Sequence, residues 1–385
     1  MATTVVLFAV FVMMMGNATV LATVGLFGRS IGLAEFEVGA IISSSALLFF
    51  LTSSRWGRWA DEWGRRPVIL TGLAGAAVSL LLFAGLFTLE KGEIGVPVAF
   101  LALLAARMIY GVLCGGVQPA AMACMADITA HKDRTTAAAM VGAAIGLGSM
   151  AGPALAALAV GRGFAVPLSI VGALTLSTAI VVFVVLHETP RASSKTVAKA
   201  GRRLESVSPY LLLAFVIHFA FAALQATNAF YFQDFLEIDA MTAVQSASIA
   251  SIVFASCSVA VQAGAVRALK WTPATLLPVG LIVCLLASVA CLMAPGFGWL
   301  LAAFGLLGAG FAWAQSGLVA GASLSQSGDR QGQVAGQLQA AMAGAWIVGP
   351  LAGAALYELS IRGPFVLAAS AMALGILAFV AGKRT

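Results

Sequence analysis

Twelve long apolar runs constrain this chain more than any other feature. They lie at about 4–27, 38–54, 68–89, 97–126, 136–160, 164–186, 209–232, 242–265, 273–294, 298–323, 331–357 and 363–381. A helix needs roughly 20 apolar residues to cross the hydrocarbon core of a bilayer. Backbone polar groups in lipid must be satisfied within a helix or around a closed barrel. Barrel strands alternate apolar and polar residues, whereas these runs are continuous. The expected fold class is therefore an all-α membrane protein with 12 transmembrane helices. Composition agrees: 61% of the residues are hydrophobic and 9% charged, where a soluble domain carries roughly 25% charged residues.

The few charges carry topology. Sixteen of the 21 Lys and Arg residues fall in even-to-odd loops or at the C-terminus, and four (Arg29, Lys91, Arg162, Arg362) fall in the opposite loops. That bias places both termini in the cytoplasm. It also removes nucleic acid as the explanation of the net charge of +6. The remaining basic residue, Arg107, lies inside a span. The five Cys residues all sit in apolar runs, as small buried thiols do. They have no metal-ligand spacing, and neither a metal nor a cofactor is expected.

The chain divides at 188–208, a basic linker between a first six-helix bundle (1–187) and a second (209–385). The halves repeat: Gly152-Pro153 and Gly349-Pro350 are 197 residues apart, as are Gln118 and Gln315. Parallel repeats about an axis along the membrane normal are a transporter architecture. Gly-x3-Gly spacings (Gly111/Gly115, Gly142/Gly146, Gly148/Gly152, Gly349/Gly353) let helix backbones approach closely, and Pro153 and Pro350 bend their helices.

Between the second and third runs stands Gly57-x3-Asp61-x2-Gly64-Arg65-Arg66, with four Arg in twelve residues counting Arg55. This resembles the loop signature of the major facilitator superfamily. Arg107-x2-Tyr110-Gly111, Asp127 with Arg134, and Gly148-x3-Gly152-Pro153 are similar to further motifs of that family, and the resemblance covers nearly the whole chain. Glu188-Thr189-Pro190 and the stretch 332–353 look like its branch of small bacterial drug:proton antiporters. The resemblance implies two pseudo-symmetric six-helix bundles (the major facilitator fold) that rock about a central cavity by alternating access. It also implies a monomer in a bacterial cytoplasmic (inner) membrane. It makes Gly57, Asp61, Gly64, Arg65, Asp127 and Arg134 a conformational latch, and Gly148, Gly152, Pro153, Gly349 and Pro350 a helix-bend motif. Trp56, Trp59 and Trp63 read as interfacial anchors.

An ionisable residue inside a span is costly and therefore a functional candidate. Arg107 either binds an anionic substrate group or tunes a proton site; the alternative is a structural Arg satisfied by neighbouring carbonyls. Tyr110, Cys114 and Gln118 follow it at helical spacing, and Asn17, Thr19 and Thr23 face the cavity from the first span. In the seventh span His218, Gln225 and Asn228 form a second stripe with Phe221 and Phe232 alongside, and Gln315, Gln337 and Gln339 either add amides or bond between helices. No acid lies deep in a span. His218, whose proton affinity sits near neutral pH, Asp234 at the outer end of the seventh span, and Arg107 are the proton-coupling candidates.

A membrane-embedded enzyme would need a midspan catalytic set, and none is present. A receptor would need a soluble module, and an ATP-driven pump a phosphate loop; the sequence has neither. The expectation is a secondary active transporter, an exporter coupled to protons, for a polar or anionic compound such as a carboxylate metabolite or siderophore. The alternatives are a multidrug efflux antiporter and an importer or facilitator of a small nutrient.

Overall fold

The computed structural model describes residues 2–88, 93–129, 134–187, 208–265, 271–325 and 331–382. The linker 188–207, Asp133, Asp329 and Arg330 lie outside them. All regular elements among the described residues are helices. They form twelve apolar spans: α1 (Ala2–Ile31), α2 (Glu35–Glu62), α3 (Arg65–Leu86), α4 (Val96–Ile128), α5 (Arg134–Ala159), α6 (Ala165–Val185), α7 (Ser208–Leu236), α8 (Ala240–Ala260), α9 (Pro273–Leu292), α10 (Phe297–Leu324), α11 (Gln331–Leu359) and α12 (Gly363–Gly382).

The chain falls into two compact units, Met1–Ser194 with Ile238–Ser248, and Lys195–Glu237 with Ile249–Thr385. Inside each unit the helices pair in the same way. In the first, α1 packs on α5 and α6, and α3 on α4 and α6; in the second, α7 packs on α11 and α12, and α9 on α10 and α12.

Lipid tails are as apolar as leucine, so close packing and interhelical polar ties must hold such helices together. Glycines supply the packing. A Cβ on Gly152 would stand 2.6 Å from Met15 O of α1, and one on Gly349 2.9 Å from Phe219 O of α7. A Cβ on Gly111 would stand 2.6 Å from Ser45 O of α2, and one on Gly308 would run into Phe254 O of α8. Gly142 and Gly146 differ from the other Gly-x3-Gly pairs: no atom comes within 4 Å of a Cβ on either.

Helix ends follow local chemistry. After α1, Gly32 takes φ +100°. Leu33 N donates to Gly28 O at 2.9 Å and Gly32 N to Arg29 O at 3.1 Å, the paired bonds of a glycine-terminated helix. Gly64, at φ +110° between α2 and α3, needs the same freedom. The fourth span is not one straight helix. It breaks at Gly115-Gly116 into Val96–Cys114 and Val117–Ile128. The equivalent positions of α10, 197 residues on, are Ala312 and Trp313, and α10 is continuous.

α2 sews the break together. Trp56 Nε1 donates to Val112 O at 2.6 Å, and Thr52 Oγ1 to Gly111 O at 3.4 Å. Trp56 is only 5% exposed. It is thus a core residue bonded to the broken helix rather than the interfacial anchor expected. Trp59 and Trp63 stack at 4.8 Å, and Trp63 is exposed.

Candidate functional site: a buried cation, an aromatic face and a charged latch

In the first unit, α4 and α1 bring Arg107 and Asn17 together. Arg107 is 3% exposed. Its Nη2 donates to Asn17 Oδ1 at 2.6 Å, and its guanidinium carbon lies 4.7 Å from the Tyr110 ring centroid. Among the described residues, nothing accepts from its buried Nε. Removing a guanidinium from water costs several kcal/mol even after relaxation. A hydrogen bond from a charged donor offsets roughly 1.5–3 kcal/mol, but an unsatisfied buried donor costs about 1–3 kcal/mol. Arg107 is therefore held in place and left electrostatically incomplete.

The two residues expected to continue the stripe from Arg107 differ in exposure. Cys114 is fully buried and its thiol faces Gly72 O at 3.3 Å. Gln118 lies beyond the Gly115-Gly116 break and is half-buried. Thr19 and Thr23 are also buried, and each hydroxyl donates to the carbonyl four residues back, at 2.8 and 2.9 Å. Their place in the structure is helix packing. Asn17 is half-buried.

The second unit presents aromatic rings instead. Phe221 of α7 lies 5.2 Å from Phe254 of α8, 4.9 Å from Phe311 of α10 and 5.9 Å from Trp346 of α11. All four rings are half-buried. His218 meets Phe311 edge-on at 5.7 Å, and its Nδ1 pairs with Ala214 O at 3.0 Å. Gln225 is half-buried, Asn228 Nδ2 donates to Ser251 Oγ at 3.2 Å, and the Oε1 atoms of Gln315 and Gln337 are buried without a donor. Asp234, half-buried at the end of α7, accepts from Tyr357 Oη of α11 at 2.6 Å.

Phe254, Phe311, Trp346, Ser251 and Tyr357 are absent from the residues singled out in the sequence. One signal pointed to Phe311: it stands 197 residues after Cys114, the repeat offset.

The charged loop closes as a three-residue cluster. Arg65 Nη1 donates to Asp61 Oδ1, and Arg65 Nε lies 3.4 Å from Asp127 Oδ2. The side chains of Arg65 and Asp127 are 17% and 16% exposed, that of Asp61 65%. The arginine thus ties the start of α3 to the end of α4, with Asp61 on the open side. Arg134 begins α5, and its side chain lies outside the described residues. A Cβ on Gly57 would meet nothing within 4 Å, whereas Gly64 carries the turn. Gly148 and Gly152 lie against α1, and Gly349 and Gly353 against α7, with Pro153 and Pro350 inside their helices. Among the described residues, no group of three or more His, Cys, Asp or Glu side chains is placed to hold a metal ion.

The family model described as Major Facilitator Superfamily matches residues 6–349. The chain belongs to the major facilitator superfamily. It is a multi-pass membrane transporter with twelve spans. Multidrug resistance protein 2 of Bacillus subtilis is 27% identical over 95% of this chain and 91% of that protein. The class D tetracycline resistance protein of Salmonella ordonez is 31% identical over 46% of this chain and 43% of that protein. Among solved structures, a D-xylose-proton symporter aligns with a TM-score of 0.77 at 14% identity, over 98% of this chain and 96% of that one. That last likeness is one of fold alone.

Proposed function

We propose that this transporter exports small organic solutes bearing an aromatic part and a neutral or anionic polar end, in exchange for protons. The observation that carries this is the aromatic face of the second unit, where Phe221, Phe254, Phe311 and Trp346 converge from four helices. Half-buried rings offer stacking to planar solutes at about 0.5–1.5 kcal/mol per ring pair. The near full-length relationship to a bacterial multidrug resistance protein supports export.

On this reading Asn17, Arg107, Tyr110, Gln118, Gln225, Asn228 and Gln315 contact the solute as the two bundles alternate, and Asp61, Arg65 and Asp127 latch one state. His218 or Asp234 carries the proton. The termini and the latch loop face the cytoplasm, as the distribution of basic residues supports, and the transporter works as a monomer. Carboxylate metabolites and siderophores fall within this solute class.

A second reading, broad multidrug efflux including cations, is favoured by the names of the relatives. The two readings part over charge, because a buried carboxylate is what an exporter of cations gains from. The test is transport by the full chain in proteoliposomes under an imposed proton gradient, following carboxyfluorescein (anionic) beside ethidium (cationic). Gradient-driven movement of carboxyfluorescein well above that of ethidium is expected. Movement of ethidium alone gives the cationic multidrug reading instead, and movement of neither defeats both.

A further inference from the structure

Among the described residues, no acid pairs with Arg107. The described ion pairs join Arg29 with Glu35 and Arg65 with Asp61 and Asp127; none involves Arg107. Its contacts are a neutral amide oxygen and a neutral ring. No backbone carbonyl accepts from it among the described residues, so the structural alternative of an Arg satisfied by main chain lacks its bonds. The Nε–H is the donor left over. Asn17, by contrast, keeps part of its surface exposed, which leaves an approach to the pair from α1.

We propose that Arg107, oriented by Asn17, is a binding site for one monovalent anion. The ligand chemistry is a single negative charge with an acceptor atom that takes the Nε–H. A carboxylate oxygen or a halide can take the Nε–H in one charge-assisted bond. Asn17 fixes the fork by accepting from Nη2, so the free edge is pre-set before the anion arrives. Tyr110 covers one face of the guanidinium, which confines the anion to the plane of the fork. The carboxylate source rests on the transport reading above; the site itself does not.

The test uses the full chain purified in detergent, in Tris-sulfate buffer free of halide and carboxylate, with thermal unfolding measured on adding sodium chloride, sodium benzoate or neutral benzamide. Benzamide has the size and shape of benzoate without its charge. Benzoate is expected to raise the wild-type melting temperature by about 2–4 °C at saturating concentration, with benzamide giving no shift. Arg107→Gln is expected to lose the effect.

A shift from chloride as well as benzoate assigns the site to small anions generally. A shift from benzoate alone assigns it to a solute carboxylate. Equal shifts by benzoate and benzamide, no anion-dependent shift in wild type, or the same shift in Arg107→Gln overturns the proposal. Should Arg107→Gln fail to fold, Arg107→Lys and Asn17→Ala carry the test. Lysine loses the planar fork, and Asn17→Ala loses its orientation, so each changes the benzoate shift; an unaltered shift in both overturns the proposal. Carboxyfluorescein transport with no anion-dependent shift defeats this site alone. A shift in a protein that moves no solute defeats the transport reading alone.

Discussion

The two bundles share their helix packing and differ in what they place at matching positions. Gly152 meets Met15, Ala18 and Thr19 as Gly349 meets Phe219, Ala222 and Ala223, so α1 and α7 correspond at an offset of 204 residues. Gly111 meets Ser45 as Gly308 meets Phe254, so α2 and α8 correspond at an offset of 209. With the offset of 197 for α4 and α5, Asn17 corresponds to Phe221, Ser45 to Phe254, Cys114 to Phe311 and Ser149 to Trp346. Small and polar side chains stand in the first bundle at the positions where the second carries its four aromatic rings. The backbone repeat is fixed by where helices must touch, and side chains that do not make those contacts are free to diverge. The repeat therefore survives in the glycines and is lost between Asn17 and Phe221.

The largest effect is expected where the bundles agree. Gly111→Val and Gly308→Val each push a side chain into the backbone of the neighbouring helix. Overpacking costs about 1–3 kcal/mol, and more when the obstacle is main chain, so each variant should lose folded, monodisperse protein on size-exclusion chromatography. Loss in one and tolerance in the other would break the equivalence of the two crossings.

The next effect separates the bundles. Phe221→Ala removes the ring that touches Phe254, Phe311 and Trp346. Binding of aromatic solutes should weaken about tenfold in equilibrium dialysis, with the Arg107-dependent anion shift intact. Equal loss of both would mean that the two sites are not separable.

A smaller effect marks the break in α4, which α10 lacks. Trp56→Phe keeps the ring and deletes the bond to Val112 O. The expected cost is about 1 kcal/mol, read as a fall in melting temperature of about 2–4 °C. Position 265, the counterpart of Trp56 at the α2/α8 offset, is Ala265, so the second bundle has no such bond to lose.

The smallest effect lies at the starts of α2 and α8. Glu37, inside the first turn of α2, reaches back to Ala34 N at 2.8 Å, while α8 is capped from outside by Asp239, which accepts from Met241 N and Thr242 N at 3.0 and 3.1 Å. The Thr242 hydroxyl and these amides hold the Asp239 carboxyl below its usual range. A depressed carboxyl stabilises the fold above the ordinary carboxylate pKa of about 3.9 and ceases to as pH falls through its lower folded value. Asp239→Asn should therefore lower the melting temperature modestly above about pH 4 and converge with the unaltered protein at lower pH, which flattens the acid limb. An unaltered acid limb would show that the cap is not formed.

Much of this was legible in the chain itself. The clustered charges Asp61, Arg65 and Asp127 declare themselves because charges are rare here and their spacing is specific. Arg107 declares itself because a cation is costly within a span. The aromatic face does not, since a phenylalanine in an apolar run looks the same whether it faces lipid, a neighbouring helix or a solute. Hydrophobic periodicity is weak in helices that are apolar all round. Trp56 misled for a related reason: a tryptophan near a span end fits the interface as well as the core, and only its bond to Val112 O tells them apart.

Twelve spans and their grouping into two repeats are readable from the chain alone, because the cost of charge and unpaired backbone in lipid is local, residue by residue. The folded arrangement adds that Arg107 meets Asn17, that α4 breaks where Trp56 and Thr52 can hold it, and that three further rings from three other helices converge on Phe221. Those outcomes depend on which side chains meet across helices far apart in the chain, and no run of neighbouring residues encodes that.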